Sequence, residues 1–352
     1  MSDQTVDIHH NEDRLKWNKK KFTNSEHVTQ SNKEAIKRFI DKCYAEGLSD
    51  ARVKKYITNF HTIFKLDSDN FELTDADRED IEKVVASIEK SDYSEATKSD
   101  FKACLKKYYK VIEGEGYAYP DKVKFFSQTR DKSKIESPDP LTKKQIDRII
   151  DEAQNKRDIA LYRLAYEGAL RPQELLSLNI SDLEFIDKGV RVKVNGKTGT
   201  RQILVVKSEK PLKKWLDRHP LSDVREAPLW SKLQVDSEAP MEELRLGYNH
   251  FRLNLKRLSK KAGVRTYKQR QDGEVTEKTE VYPYLFRHSR ATHVATEMSE
   301  ASMKAYFGWT QSSDMCEVYI HLSGRDIDDE VLGLYGMDGD SDQCNFCPNC
   351  GE

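Results

Sequence analysis

The sequence predicts a mainly α-helical protein with one small antiparallel β-sheet, divided into a helical N-terminal domain and a mixed α/β C-terminal one. Three observations carry this. Across residues 29–117, apolar side chains recur at helical spacing and no strand pattern interrupts them. Only two short β-branched runs follow, Val190-Arg-Val-Lys-Val and Ile203-Leu-Val-Val, on either side of a turn sequence. Between the domains, residues 118–140 hold Pro120, Pro138 and Pro140, which break helices, with the basic run Lys122, Lys124, Arg130, Lys132 and Lys134. That stretch reads as a linker.

The totals agree with a two-domain protein and exclude some classes. A chain of 352 residues can bury two or three cores. Lysine plus arginine (59) nearly cancels aspartate plus glutamate (60), so net charge neither requires nor excludes nucleic acid. A basic face can coexist with an acidic back. No run of about 18 apolar residues is present, which excludes a spanning helix. The N-terminus lacks a signal-peptide core, pointing to the cytoplasm. Cys43, Cys104 and Cys316 are scattered through helical patterns and read as reduced thiols.

In chain order, residues 1–28 are polar and read as a flexible arm, with a short helix around Asp13–Lys21. Ser31 is the expected cap of a helix carrying Ala35, Ile36, Phe39, Ile40 and Cys43. Val53, Tyr56, Ile57, Phe60, Ile63 and Phe64 mark a second helix. A third begins at Thr74 and carries Ile81, Val84, Val85 and Ile88. The fourth starts near Ser94, runs through Phe101, Cys104, Leu105, Tyr108, Tyr109 and Ile112, and stops at Gly114. Arg52, Lys54, Lys55, Lys98, Lys102, Lys106 and Lys107 lie on the outer faces. They suit a phosphate backbone or an ordinary solvated surface.

The second domain, 141–337, opens with the capping box Thr142-Lys-Lys-Gln145. An apolar helix from Ile159 ends at Gly168-Ala-Leu-Arg171-Pro172. Pro172 then starts another helix containing Glu174, which puts Arg171 at a helix N-terminus, where anions are favoured. Asn195-Gly196-Lys197-Thr198-Gly199-Thr200 is a tight hairpin loop with Lys197 at its tip. Helices are expected over 211–218 and 248–262, and a loop or small hairpin over 266–280. Then comes Tyr282-Pro-Tyr284-Leu-Phe-Arg287-His288-Ser, followed by Phe307-Gly308-Trp309 and by Tyr319. Arginine and indole N–H donors with a phenol nucleophile suit attack on a phosphodiester, where charge builds on non-bridging oxygens.

Taken together, these residues resemble the tyrosine recombinase (phage integrase) family, and more narrowly its archaeal members, over residues 29–337. Gly168-Ala-Leu-Arg171-Pro-Gln-Glu174-Leu matches the first arginine box. Lys197 matches the hairpin lysine, Tyr284-Leu-Phe-Arg287-His288 the second box, Phe307-Gly308-Trp309 the third, and Tyr319 the nucleophile. The resemblance implies a SAM-like helical core-binding domain over 29–117 and a catalytic domain over 141–337. It implies a site-specific recombinase that needs neither metal nor ATP and works on double-stranded DNA as a homotetramer joining two duplexes.

By the same resemblance, Tyr319 attacks a scissile phosphate to form a 3′-phosphotyrosyl link. Arg171 and Arg287 hold the non-bridging oxygens, Lys197 protonates the leaving 5′-oxygen and Glu174 orients the first arginine. Two positions depart from the usual pattern. Tyr284 stands where histidine is usual, and a phenol titrating near 10 is a poor base at neutral pH. Trp309 stands where the third box more often has histidine; its indole donates a hydrogen bond but shuttles no proton. His288 is read as a structural hydrogen-bonder.

After Tyr319, residues 326–337 carry apolar side chains at near-helical spacing, fit to dock on a neighbouring protomer or on their own domain. In the 338–352 tail, Cys344, Cys347 and Cys350 resemble a zinc knuckle, although a structural zinc site wants four ligands. Two other functions share these residues: a type IB topoisomerase, and a DNA-binding protein with a decayed site. Covalent cleavage of a labelled duplex separates the enzymes from the binder. Relaxation of supercoiled DNA without strand exchange separates topoisomerase from recombinase.

Overall fold

The computed structural model describes residues 6–8, 11–66, 71–128, 139–196, 199–234, 240–271 and 274–322. The chain forms two units, His9–Glu136 and Met1–Ile8 with Ser137–Glu352.

The first unit is built from helices α1 (Asn11–Thr23), α2 (Gln30–Ala45), α3 (Asp50–Leu66), α4 (Arg78–Lys90) and α5 (Glu95–Ile112). Their apolar stripes meet in one core around Phe39, Phe60 and Tyr108, with ring centroids 5.9 Å (Phe39–Phe60) and 5.8 Å (Phe60–Tyr108) apart. Three sequence expectations change here. Within the 1–28 stretch expected as an arm, α1 buries Leu15 and Phe22 in this core. Thr29, one residue before the helix, caps α2 in place of Ser31, because its Oγ1 reaches the Asn32 N–H. The third expected helix starts at Arg78 rather than Thr74, where Asp77 and Asp80 form a reciprocal capping box. Several outer lysines are also engaged internally. Lys55 pairs with Asp100, Lys102 with Glu89 and Lys107 with Glu46, at 2.9, 2.6 and 2.6 Å.

The second unit begins with α6 (Lys143–Asp151), α7 (Lys156–Glu167) and the short α8 (Pro172–Leu176). The expected capping box is present: Thr142 Oγ1 accepts from the Gln145 N–H, and Gln145 answers to the Thr142 N–H. A meander of β1 (Leu183–Ile186), β2 (Gly189–Gly196) and β3 (Gly199–Val205) follows, antiparallel throughout, with β2 and β3 in register to Gly196↔Gly199. Val190, Val192, Val194, Ile203 and Val205 alternate onto the buried face.

Next come α9 (Glu209–Leu216), α10 (Met241–Leu244) and α11 (Tyr248–Lys261). The polar 266–280 stretch folds as a hairpin of β4 (Thr266–Gln271) and β5 (Glu274–Thr279). The unit closes with α12 (Pro283–Val294), α13 (Glu300–Phe307) and α14 (Met315–Leu322). Glu167 at the end of α7 anchors the sheet exit: its carboxylate accepts from the backbone N–H groups of Val206, Lys207 and Ser208. None of the described helices is long and apolar enough to cross a membrane. Lys197, the 326–337 segment and Cys344, Cys347 and Cys350 lie outside the described residues.

Candidate active site

The site is organised around a carboxylate. Glu174, on α8, is buried, and its two oxygens receive groups from three directions. Arg171 donates its own backbone N–H to Oε2 at 3.0 Å and its Nη1 to Oε1 at 2.7 Å. From β3, Arg201 grips both oxygens, Nη1 to Oε1 at 3.1 Å and Nη2 to Oε2 at 2.9 Å. Arg287 stands farther off, 3.9 Å from Oε2. Burial raises the Glu174 pKa, but the Arg201 ion pair and the Arg171 hydrogen bonds outweigh it and hold the carboxyl below its ordinary value. Glu174 is therefore ionised at neutral pH.

The arginines are then aimed by backbone carbonyls. Arg171 Nη2 donates to Gly308 O at 3.2 Å, and Arg201 Nε to Tyr306 O at 3.0 Å. Arg287, 1% exposed, donates Nη1 to Ala169 O at 2.7 Å and Nη2 to Phe307 O at 2.6 Å. Each guanidinium has five N–H donors, so these bonds orient the groups and leave others for a ligand. Burial, then the nearby Arg171 charge, pulls the Arg287 pKa down to about 10. It remains cationic at neutral pH. Three guanidiniums thus share one carboxylate, and the excess positive charge is partly buried. Such a cluster is stabilised when an anion completes it.

The turn after α13 brings the third box into place. Gly308 is left-handed (φ +58°), and a Cβ there would lie 2.7 Å from Arg201 Nη1. Gly308→Ala should therefore destabilise this unit by about 1–2 kcal/mol from the backbone term alone and slow DNA cleavage by displacing Arg201. Thermal unfolding and a cleavage assay check both; unchanged values would mean the turn relaxes away from the arginine. Beyond it, Trp309 stacks between Phe307 and Tyr319, with ring centroids at 4.7 and 5.5 Å, and its ring lies 5.9 Å from the Arg287 guanidinium.

Tyr319, on α14, is 2% exposed and sits in an apolar cluster with Ala291, Val294, Met303 and Phe307. Its hydroxyl is hydrogen-bonded to Nδ1 of His288. Tyr284, one turn before His288, packs its ring edge-on against the imidazole at 4.8 Å. Burial, with smaller contributions from Tyr284 and Tyr282, raises the Tyr319 pKa well above the usual phenol value despite Arg287. The phenol is neutral at neutral pH and needs a proton acceptor to attack.

Six of the residues singled out from the sequence come together here: Arg171, Glu174, Arg287, His288, Trp309 and Tyr319. Tyr284 joins them through His288. For Lys197 the described neighbour is Gly196, packed so closely that a Cβ on it would meet Glu174 Oε1 at 2.6 Å. Arg201 lies outside every motif the sequence marks. Its signal was the strand period: it shares the inward phase of Ile203 and Val205.

The sequence model of the phage integrase family matches residues 140–325, more than half of the chain. The chain belongs to the phage integrase family. A tyrosine recombinase of Thermosipho africanus is 25% identical to it over 300 residues, covering 81% of this chain and 96% of its own length. Tyrosine recombinase XerC of Roseiflexus sp. is 23% identical over 270 residues, covering 72% and 76%.

Among solved structures, XerH recombinase in a post-cleavage complex with palindromic difH superimposes with a TM-score of 0.59 at 16% identity, over 96% of this chain and 98% of that one. A lambda integrase dimer on a COC′ core site gives 0.61 at 15% identity, over 85% and 80%. Both share the fold, mainly helical with a small antiparallel sheet, that the sequence predicts. As a phage integrase family member, the chain is an enzyme of the tyrosine recombinase type, which cleaves and rejoins DNA through a tyrosine.

Proposed function

We propose that this phage integrase family member is a site-specific recombinase that exchanges strands between two DNA duplexes through Tyr319. The observation that carries the reading is the arginine cluster beside a buried phenol: excess cationic charge on Arg171, Arg201 and Arg287, with Tyr319 packed on the same Trp309 that faces Arg287. In this reading a scissile phosphate completes the cluster. Arg171 and Arg287 hold its non-bridging oxygens, where charge grows in the transition state. Trp309 adds an indole donor, and Glu174 keeps the arginines apart and oriented. Tyr319 attacks phosphorus and a 5′-hydroxyl departs, leaving a 3′-phosphotyrosyl link. Attack by a 5′-hydroxyl from the partner duplex reverses the step and exchanges the strands.

The finer parts of the proposal are a homotetramer on two duplexes, a cytoplasmic setting and chemistry that needs no metal or ATP. The related recombinases solved on DNA, including a lambda integrase tetramer on a Holliday junction, support the assembly. A labelled suicide duplex incubated in EDTA tests the chemistry. A covalent protein–DNA band is expected; cleavage that requires added Mg²⁺ would exclude the mechanism. The nearest other reading, a type IB topoisomerase, predicts relaxation of supercoiled DNA without strand exchange.

Lys197 is assigned the leaving-group proton. A general acid matters while the leaving group is poor, and a bridging 5′-sulfur departs without one. Lys197→Ala should cleave normal DNA roughly 10²-fold or more slowly, yet a 5′-phosphorothiolate nearly as fast as the unaltered protein. Arg171→Ala should stay slow on both substrates, because non-bridging charge develops either way. Failure of sulfur to rescue Lys197→Ala would assign the proton to another group.

A further inference from the structure

The recombinase reading leaves one proton unassigned. Tyr319 must lose its hydroxyl proton as it attacks, and the two box positions where a histidine is usual hold Tyr284 and Trp309. Trp309 has no basic nitrogen, and the Tyr284 phenol is itself a weak acid. Around the Tyr319 hydroxyl the structure offers a different group. His288 Nδ1 is hydrogen-bonded to it, with the rings 5.7 Å apart.

Resting on the recombinase reading, we propose that His288 is a catalytic residue, the general base that takes the Tyr319 proton during cleavage and returns it during religation. In cleavage the Tyr319 Oη–phosphorus bond forms and the phosphorus–O5′ bond breaks. The phenol proton moves to His288 Nδ1, and the departing O5′ takes a proton from a separate donor, the role assigned to Lys197. In religation an incoming 5′-hydroxyl gives its proton back to the donor that served O5′ and attacks phosphorus, and Tyr319 leaves, receiving the proton held on His288. No oxidant or cofactor enters either step.

Three features fit the group to this task. His288 is half-buried on α12, immediately after Arg287, so the base and the phosphate-binding arginine are held by one rigid element. Burial, and then the Arg287 charge, lowers its pKa below the ordinary histidine value. The ring is therefore neutral at neutral pH, and Nδ1 can accept. Tyr284, ring edge against imidazole at 4.8 Å, packs on the ring beside Tyr319 and restricts its rotation. That gives Tyr284 a positioning role in place of the acid–base role its box position implies.

The test separates a proton acceptor from a prop. In His288→Asn the side-chain amide can keep a hydrogen bond near the Nδ1 position but accepts no proton. Cleavage of a suicide duplex should slow by roughly 10²-fold or more, the scale of general-base catalysis, and a 5′-phosphorothiolate should not rescue it. A second reaction, run in a Tyr319→Phe background, bypasses the phenol: a 5′-hydroxyl strand joined to a strand ending in 3′-p-nitrophenyl phosphate. That ester expels p-nitrophenolate without a proton donor, so adding His288→Asn to Tyr319→Phe should change ligation by no more than about threefold if the base acts on Tyr319 alone.

Unchanged or faster cleavage in both His288→Asn and His288→Ala would overturn the proposal, showing that His288 merely holds Tyr319 in a buried resting position. Equal losses in cleavage and p-nitrophenyl ligation would also overturn it, making His288 a support for the arginine cluster or the fold. If the unaltered protein forms no adduct, it is the recombinase reading itself that fails.

Discussion

Tyr319→Phe should form no covalent adduct with DNA, while its affinity for the same duplex stays within about threefold, because the phenol supplies a nucleophile and few binding contacts. The substitution is structurally mild. The ring keeps its place against Trp309 and in the cluster with Met303 and Phe307. What goes is the hydrogen bond to His288, a loss on the order of 1 kcal/mol in stability. Denaturing gels and a mobility-shift assay read the two quantities side by side. A protease-sensitive adduct from the Phe variant would move the nucleophile elsewhere. Loss of adduct and of binding together would mean that the variant had lost its fold.

Arg287→Ala should slow cleavage by roughly 10²- to 10³-fold, or about 2.7–4 kcal/mol, as expected on removing one donor to a developing charge in a water-poor site. Binding should weaken much less, since the duplex backbone is held at many other points. Because Arg287 also ties Ala169 and Phe307 through their carbonyls, Arg287→Lys is the necessary companion. It keeps the charge but not the planar fork, so folding should recover while cleavage remains slow. Equal losses in affinity and rate would instead mark Arg287 as a ground-state anchor for phosphate.

Much of this architecture is legible in the sequence because the strongest local signals coincide with the site. Gly168, Pro172, Gly196 and Gly199 are backbone punctuation that any reading picks up, and each lies within a few positions of a candidate catalytic residue. Phe39, Phe60 and Tyr108 show the helical unit by spacing alone. Other features carry weaker signals. Strand β1 has only four residues, too few for a pattern, and is a strand because β2 pairs with it. Helix α1 is nearly all polar; Leu15 and Phe22 suffice once α3 lies against them.

Arg201 is hidden for another reason. As a charged residue on a strand it reads as solvent-facing, and only the distant Glu174 and Tyr306 make its inward position stable. The contact between His288 and Tyr319 joins residues 31 positions apart on two helices. Sequence adjacency shows only that His288 follows Arg287.

The central claim is that Tyr319 becomes covalently joined to DNA in a metal-independent step. The most direct measurement is to trap the protein on a suicide duplex in EDTA, digest protein and DNA, and map the nucleotide-bearing peptide by mass spectrometry. The account predicts a 3′-phosphate nucleotide attached to Tyr319, with a free 5′-hydroxyl on the released strand. A nucleotide on any other residue, a 5′-linked adduct, or cleaved DNA with no adduct would contradict it.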